Sequence, residues 1–324
     1  MPSIAQSIMD YLDSVYLSRS ESTARTYRNA LQSFLIVLES QRILPEETPI
    51  NQLKEESIGW FATALKDYSP ATERLYLTAT AGFFEYLAAE QLADINLPRL
   101  RLLIRQRARR PGQRLPQFPR DAIENMLSYA EQLTLQPVEN ENDRLRNLRD
   151  RAFLLVLADT GLRVHEAVGL RRGDIDWNEG KAVVIGKGDR QAVVRFSSRA
   201  LGALKDYLST RAGLDGSSGR ALTSLPLFAR HDRGAGSKVK PITTTTGRNI
   251  VAQRVRECLG EDAAGSITPH SFRHYFVTTV LRGSGGNLKL AQELARHKNI
   301  AVTQRYAHLA DNELDQGYFE IFEK

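Results

Sequence analysis

The sequence predicts a mainly α-helical chain of two domains with one small three-stranded antiparallel sheet. In the first hundred positions apolar side chains recur at spacings of three and four residues, which is typical of amphipathic helices. Between residues 175 and 196, three short alternating or β-branched segments are separated by turn sequences. An arginine-rich, proline-containing stretch follows the helical region, as expected for a connection between domains.

Residues 1–97 are predicted to form a helical domain. A helix that starts near Ser22 places five apolar side chains on one stripe, namely Tyr27, Leu31, Phe34, Leu35 and Leu38. A shorter helix is expected from about Lys54 to Leu65. The next begins after Ser69-Pro70, because a serine cap followed by proline at the first helical position favours a helix start.

Residues 98–119 are predicted to be a basic linker. No acidic residue occurs between Asp94 and Asp121, and prolines at 111, 116 and 119 break helices. An uncompensated run of arginines repels itself unless polyanions neutralise it. The arginines of this region are Arg99, Arg101, Arg105, Arg107, Arg109, Arg110, Arg114 and Arg120.

Residues 120–324 are predicted to form the second domain. Thr268 followed by Pro269 predicts another helix start. The other predicted elements are helices at about 120–132 and 147–159, a short helix carrying Arg163 and Glu166, and strands at 175–177, 181–185 and 191–196.

Composition restricts the function classes. The net charge of +6 favours a polyanionic partner, and the single cysteine, Cys258, excludes an intrachain disulfide and a thiolate metal cluster. The first residues lack the basic and apolar regions of a signal peptide, and no apolar run is long enough to span a membrane. We therefore expect a cytoplasmic protein that is not membrane-bound.

Six residues form a basic constellation that ends in a tyrosine: Arg163, Lys187, His270, Arg273, His297 and Tyr306. Arginines bind one phosphate through several charge-assisted hydrogen bonds. A tyrosine hydroxyl can act as a covalent nucleophile, but its ordinary pKa of about 10 means that it needs cationic or basic neighbours. The pattern predicts a site that cleaves phosphodiesters without a metal or other cofactor.

These residues resemble the tyrosine recombinases, also called the lambda-integrase family, from about residue 115 to the end. The family's Thr-Gly-Leu-Arg stretch with an acid three residues later matches Arg163 and Glu166. Its hairpin lysine matches Lys187, with Arg190 nearby as a fallback. Its His-x-x-Arg box, its later histidine and its nucleophile match the remaining four residues of the constellation.

The resemblance implies specific roles. Tyr306 would form a 3′-phosphotyrosyl link, Lys187 would protonate the leaving 5′-oxygen, and His297 would bond a phosphate oxygen. Glu166 would orient a neighbouring side chain. Four further histidines are expected to be structural, namely His165, His231, His274 and His308. Arg296 stands where family members usually have glycine, which bears on the packing of that helix end.

The resemblance also implies a clamp of two domains around double-stranded DNA: a helical core-binding domain and a catalytic domain. It further implies a homotetramer on two DNA sites, joined by a C-terminal exchange helix, and action on nucleoid DNA. The match also leads us to expect an enzyme without an arm-binding domain, as in Xer-like or mobile-element enzymes. The expected phosphate contacts outside the catalytic set are Arg25, Arg28, Arg105, Arg107, Arg109 and Arg110.

Two alternatives stay open. A type IB topoisomerase shares this chemistry but acts as a monomer, and a catalytically silent DNA-binding protein would keep only the binding surface. Apolar residues after Tyr306, such as Leu314 and Phe319, suit docking on a neighbouring protomer and favour a recombinase assembly. Integration or excision of a mobile element and resolution of chromosome dimers are equally compatible with the sequence.

Overall fold

The computed structural model describes residues 1–109, 119–186, 190–232, 234, 238–304 and 306. It divides into two compact units, Met1–Arg114 and Leu115–Lys324. The predicted fold class is confirmed, since helices dominate the described residues and the sheet has three strands. Within the described residues, no helix combines the length and the apolar character needed to cross a membrane.

In the part of the first unit that the structure describes, five α-helices surround an apolar core. Its centre is aromatic: the ring of Phe34 packs edge-on against Phe61 and Phe84, and Phe83 packs against Phe84. All four rings are almost fully buried. The helices are α1 (Ile4–Ser18), α2 (Glu21–Ser40), α3 (Glu56–Ala64), α4 (Pro70–Ala89) and α5 (Leu97–Arg107).

Helix α5 corrects the prediction that a linker begins at residue 98. The Asn96 side chain caps this helix by accepting a hydrogen bond from the backbone N–H of Arg99, 2.9 Å away. Leu100 is buried in the core of the first unit, and Leu103 and Ile104 pack against that core. The segment is helical because this apolar stripe is buried, whereas its arginines lie on the other faces.

The end of α5 is anchored by a buried carboxylate. The side chain of Glu73 is 1% exposed and accepts hydrogen bonds from Lys66 Nζ, from the Arg109 backbone N–H and from Arg109 Nε. Burial alone would raise the pKa of Glu73, but these donors outweigh it and lower the pKa to about 2. The guanidinium of Arg109, a predicted phosphate contact, neutralises Glu73 and donates to the Tyr68 carbonyl in this structure.

The second unit surrounds the long helix α7, which is buried along most of its length. The helices are α6 (Arg120–Gln132), α7 (Glu141–Thr160), α8 (Val164–Gly169), α9 (Ser198–Thr210), α10 (Ala212–Gly216), α11 (Thr244–Leu259), α12 (Pro269–Gly283), α13 (Leu288–Ala295) and α14 (Ile300–Gln304).

The sheet of the second unit has the order β1-β2-β3 and is antiparallel throughout. The strands are β1 (Ile175–Asp176), β2 (Lys181–Gly186) and β3 (Arg190–Arg195). Val183 pairs with Val193, and the register runs from Lys181 opposite Arg195 to Gly186 opposite Arg190. These strands match the predicted ones to within one residue at each end. Helix α7 begins six residues earlier than predicted because Asn140 caps it.

The Glu73 anchor generates a stability prediction. Replacing Glu73 with Gln should lower the free energy of unfolding by about 2 kcal/mol at neutral pH, because the buried carboxylate that accepts hydrogen bonds from Lys66 and Arg109 is lost. The folded-state pKa lies below the ordinary value of 4.5, so this contribution is complete above that value and is lost as the pH falls towards 2. The difference between variant and parent should shrink over the same range.

The measurement is denaturant unfolding followed by the fluorescence of Trp60 in a Trp177→Phe background, since these are the two tryptophans. Glu56→Gln is the matched control, because Glu56 pairs with Arg99 at a surface where its side chain is 43% exposed. Glu56→Gln should lower the free energy of unfolding by less than about 1 kcal/mol. Equal losses in both variants would contradict the anchoring role of Glu73.

Candidate active site

The site is built where α7 ends. Gly161 closes this helix in the left-handed conformation, with φ of 59°, and a Cβ atom there would collide with the ring of Phe276 on α12. Glycine is therefore required both by the backbone and by the close approach of α12. The turn delivers Arg163 to the start of α8, as the sequence predicts.

Arg163 and Glu166 form the first part of the site. Glu166 Oε2 accepts a hydrogen bond from the Arg163 backbone N–H, and Oε1 accepts one from Nη1, each at 2.9 Å. The Glu166 side chain is 1% exposed, whereas that of Arg163 is 42% exposed. Burial alone would raise the pKa of Glu166, but the Arg163 N–H and the charge of Arg296 lower it. A charged carboxylate thus holds a guanidinium that remains open to solvent.

Arg273 occupies the interior of the site. It lies on α12, whose start at Pro269 confirms the prediction made from Thr268 and Pro269. Its Nη1 donates to the carbonyl of Gly161, and its Nη2 donates to the carbonyl of Ala295 at the end of α13. Burial, followed by the charges of Arg163 and Arg296, lowers its pKa to about 10. The guanidinium therefore stays charged at neutral pH.

Tyr306 contacts a histidine that has no predicted catalytic role. Its hydroxyl is hydrogen-bonded to Nδ1 of His274, and the His274 and Tyr306 ring centroids lie 5.1 Å apart. His270 lies against the other side of His274, with ring centroids 4.2 Å apart. His274, which is expected from the sequence to be structural, therefore lies next to the predicted nucleophile. The available signal was its spacing of four residues from His270, which puts both on one helix face.

The imidazoles of the site are neutral at physiological pH. Burial lowers the pKa of His274 to about 4, with the nearby His270 and Arg273 adding to the effect. Burial, followed by the charges of Arg273 and Arg163, lowers the pKa of His297 to about 4 as well. His297 is oriented by a hydrogen bond of 2.9 Å between Nδ1 and the Thr303 hydroxyl. Each neutral ring can accept a proton or donate one hydrogen bond.

Arg296 is a further site residue that the sequence did not assign. It ends α13 in the left-handed conformation, with φ of 59°, which explains why glycine is common at this position. Its Nη2 donates to Glu166 Oε2 at 2.9 Å. The backbone at this helix end thus has the conformation that glycine favours, and the Arg296 side chain adds a third guanidinium to the site.

These groups surround a cavity of about 1360 Å³. Its lining includes Arg163, Arg273, Arg296, His270 and His297, together with Gly186 at the end of β2. Tyr306 lies outside this lining and is 4% exposed, packed among apolar residues of α12 and α13. The arrangement can bind an anion with charges that are already in place.

The remaining predicted site residues either lie outside the described part of the chain or belong to the first unit. Lys187, Arg110, the C-terminal segment after Tyr306 and the side chain of Arg190 lie outside what the structure describes. Arg25 and Arg28 are exposed on α2, where Arg25 pairs with Glu21 at 2.9 Å. Arg105 and Arg107 are exposed on α5. Among the described residues, no group of three or more His, Cys, Asp or Glu could hold a metal ion.

Comparison with known proteins identifies the family. The phage integrase family model matches residues 120–313, and the model of the phage integrase N-terminal SAM-like domain matches residues 8–91. A tyrosine recombinase XerC of Thermodesulfovibrio yellowstonii is 29% identical over 313 residues, which cover 96% of this chain and 94% of the relative. A XerC of Pelobacter propionicus is 37% identical over 193 residues, 59% of this chain and 57% of that protein.

A solved structure shares the fold. The Tn1549 transposon integrase in complex with transposon right end DNA aligns over 99% of this chain and 100% of that one, with a TM-score of 0.67 and 18% identity. The family model covers more than half of the chain, and it includes the positions of all six residues in the basic constellation. The chain therefore belongs to the phage integrase family of tyrosine recombinases, which cleave and rejoin DNA.

Proposed function

We propose that Tyr306 is the nucleophile with which this recombinase attacks a DNA phosphodiester, leaving a 3′-phosphotyrosyl link and a free 5′-hydroxyl. A 5′-hydroxyl from a partner duplex then reverses the attack. The ester conserves the bond energy, so neither step consumes a nucleotide. The observation that carries this proposal is the tyrosine hydroxyl bonded to His274, beside a cavity lined by guanidinium groups.

Arg163, Arg273 and His297 are the proposed phosphate ligands. All three line the cavity, and both guanidiniums are charged at neutral pH. They are held before the substrate arrives, Arg163 by Glu166 and Arg273 by two main-chain carbonyls. Donors fixed in advance stabilise the charge that develops in the transition state, and losing one typically costs about 3 kcal/mol.

Tyr306 has to move for attack. In the structure its ring is 4% exposed, its hydroxyl is bonded to His274, and the residue is not part of the cavity lining. We infer that DNA binding draws the ring into the cavity. His274 is neutral and already at the hydroxyl, so it can accept the phenolic proton as attack begins. His270, its neighbour on the same helix face, is the next carrier of that proton.

The remaining roles rest on the family resemblance. Lys187 is the proposed general acid for the leaving 5′-oxygen. Gly186 precedes it and lines the cavity, which supports that assignment. The two domains are proposed to clamp duplex DNA, with four protomers joining two sites through their C-terminal segments. The substrate is proposed to be cytoplasmic DNA, either at a chromosome dimer-resolution site or at the ends of a mobile element.

The nucleophile is tested by trapping adducts. The parent chain, incubated with genomic DNA and denatured, should remain attached to 3′ ends, and sequencing these ends gives the cleavage sequence. Tyr306→Phe should bind DNA equally well but form no adduct, because only the attacking oxygen is lost. Tyr275→Phe, a matched buried tyrosine on α12, should retain adduct formation. Adduct formation by Tyr306→Phe would show that Tyr306 is not the nucleophile.

Variants of the arginines at and just after α5 distinguish residues that bind DNA from a residue that stabilises the fold. Replacing exposed Arg105 and Arg107 with Ala should weaken binding to all duplexes alike and reduce the slope of log K against log salt by roughly 2. Arg109→Ala should instead lower the unfolding midpoint, since Arg109 neutralises Glu73. Binding isotherms at several salt concentrations, with thermal melts, distinguish the two effects. A loss confined to one sequence after the double replacement would mean base recognition by α5.

Tetramer formation is tested by truncation after Asp311. The shortened chain should bind a single site but assemble poorly on two sites and yield few recombinants, because its apolar tail could no longer dock on a neighbour. Gel-shift assembly and recombinant yield are the measurements. Equal values for the full and truncated chains would favour a monomeric strand-relaxing enzyme.

A further inference from the structure

The side chain of Arg296 is placed unusually for the end of a helix. An arginine that follows the last turn ordinarily interacts with the carbonyls of its own helix. The Arg296 guanidinium instead reaches two other segments, Glu166 on α8 and the carbonyl of Gly161 at the end of α7. Its side chain is only 10% exposed. Capping of α13 therefore does not account for the position of the Arg296 side chain.

Each of these acceptors is shared with a proposed phosphate ligand. Glu166 also binds Arg163, and the Gly161 carbonyl also accepts from Nη1 of Arg273. The Nη2 of Arg296 lies 2.9 Å from Glu166 Oε2 and 3.4 Å from the Gly161 oxygen. A single nitrogen thus links the anchors of both arginines.

The other terminal nitrogen of Arg296, Nη1, independently indicates that this side chain has a role beyond stabilising the fold. Among the residues that the structure describes, Nη1 is buried and has no hydrogen-bond partner. Buried donors in a purely structural position are nearly always satisfied. The fold therefore tolerates an unsatisfied donor, and a third positive charge, in the wall of a cavity that already holds Arg163 and Arg273.

We propose that Arg296 is a positioning residue for DNA cleavage: by holding Glu166 and the Gly161 carbonyl together, it fixes the spacing of Arg163 and Arg273 so that both reach one phosphate. This inference rests on the proposed function, because it concerns the same phosphate site. Glycine at this position would keep the backbone conformation but remove the hydrogen bond from Arg296 to Glu166 Oε2. Among the described residues, that oxygen would then accept only from the Arg163 N–H.

The test uses Arg296→Gly, since glycine suits a left-handed φ and should preserve the helix end. The readouts are the single-turnover rate of adduct formation on the cleavage sequence recovered from trapped ends, the Kd for that duplex, and the melting temperature. The rate should fall about tenfold or more, as for the loss of other groups that orient a ligand, while the Kd changes by less than about twofold. Methylguanidinium in solution should restore part of the rate.

Arg42→Gly is the matched control. Arg42 is also a left-handed arginine, with φ of 62°, but it is exposed after α2. Its replacement should leave the adduct rate unchanged. Arg296→Lys keeps the charge but not the planar guanidinium, so it should be nearly as slow as Arg296→Gly. If Arg296→Gly lowers the melting temperature, the adduct rate of Arg296→Lys is used as the test in its place.

A double-mutant cycle separates positioning from a general structural role. Glu166→Gln should slow cleavage by itself, and adding Arg296→Gly should slow it little further, because either replacement alone breaks the charge-assisted link between Glu166 and the Gly161 carbonyl. Methylguanidinium should not rescue the double variant. A parent-like rate for Arg296→Gly, or effects of the two changes that multiply, would overturn the proposal. If the parent chain forms no adduct, the proposed function fails and this inference falls with it.

Discussion

Three guanidinium groups of like charge lie around one cavity, and their repulsion has to be offset before any phosphate arrives. Arg163 and Arg296 share the buried carboxylate of Glu166, and Arg273 donates to carbonyls at the ends of α7 and α13. The C-terminal end of a helix carries partial negative charge, so it is a favourable place for a cation. The left-handed residues that end these two helices bring both negative ends to the same point.

This concentration of charge also sets the state of the other groups. Burial and the neighbouring arginines keep His274 and His297 neutral at physiological pH. A neutral His274 can serve as the hydrogen-bond partner of Tyr306 and later as a proton acceptor. A bound phosphate would offset the arginine charges and make a protonated imidazole less costly. Substrate binding and proton transfer are therefore electrostatically coupled in this site.

The sequence predicted those features that local signals specify. The caps and prolines at Ser69-Pro70 and Thr268-Pro269 gave correct helix starts, and alternation gave the sheet. The sequence did not reveal that α5 is a helix packed on the first unit, because burial of its apolar stripe depends on the other helices of that unit. The links made by Arg296 and His274 join residues that are distant in sequence, and their partners follow only from how α7, α12 and α13 converge.

The central claim is that a DNA phosphate occupies the guanidinium cavity within reach of Tyr306. The most direct test is a structure of the Tyr306→Phe chain bound to a duplex that carries the recovered cleavage sequence. The account predicts non-bridging phosphate oxygens at about 2.7–3.2 Å from guanidinium nitrogens of Arg163 and Arg273, with the ring of residue 306 displaced from His274. A bound duplex whose phosphates leave this cavity empty, or a ring still buried against α13, would contradict it.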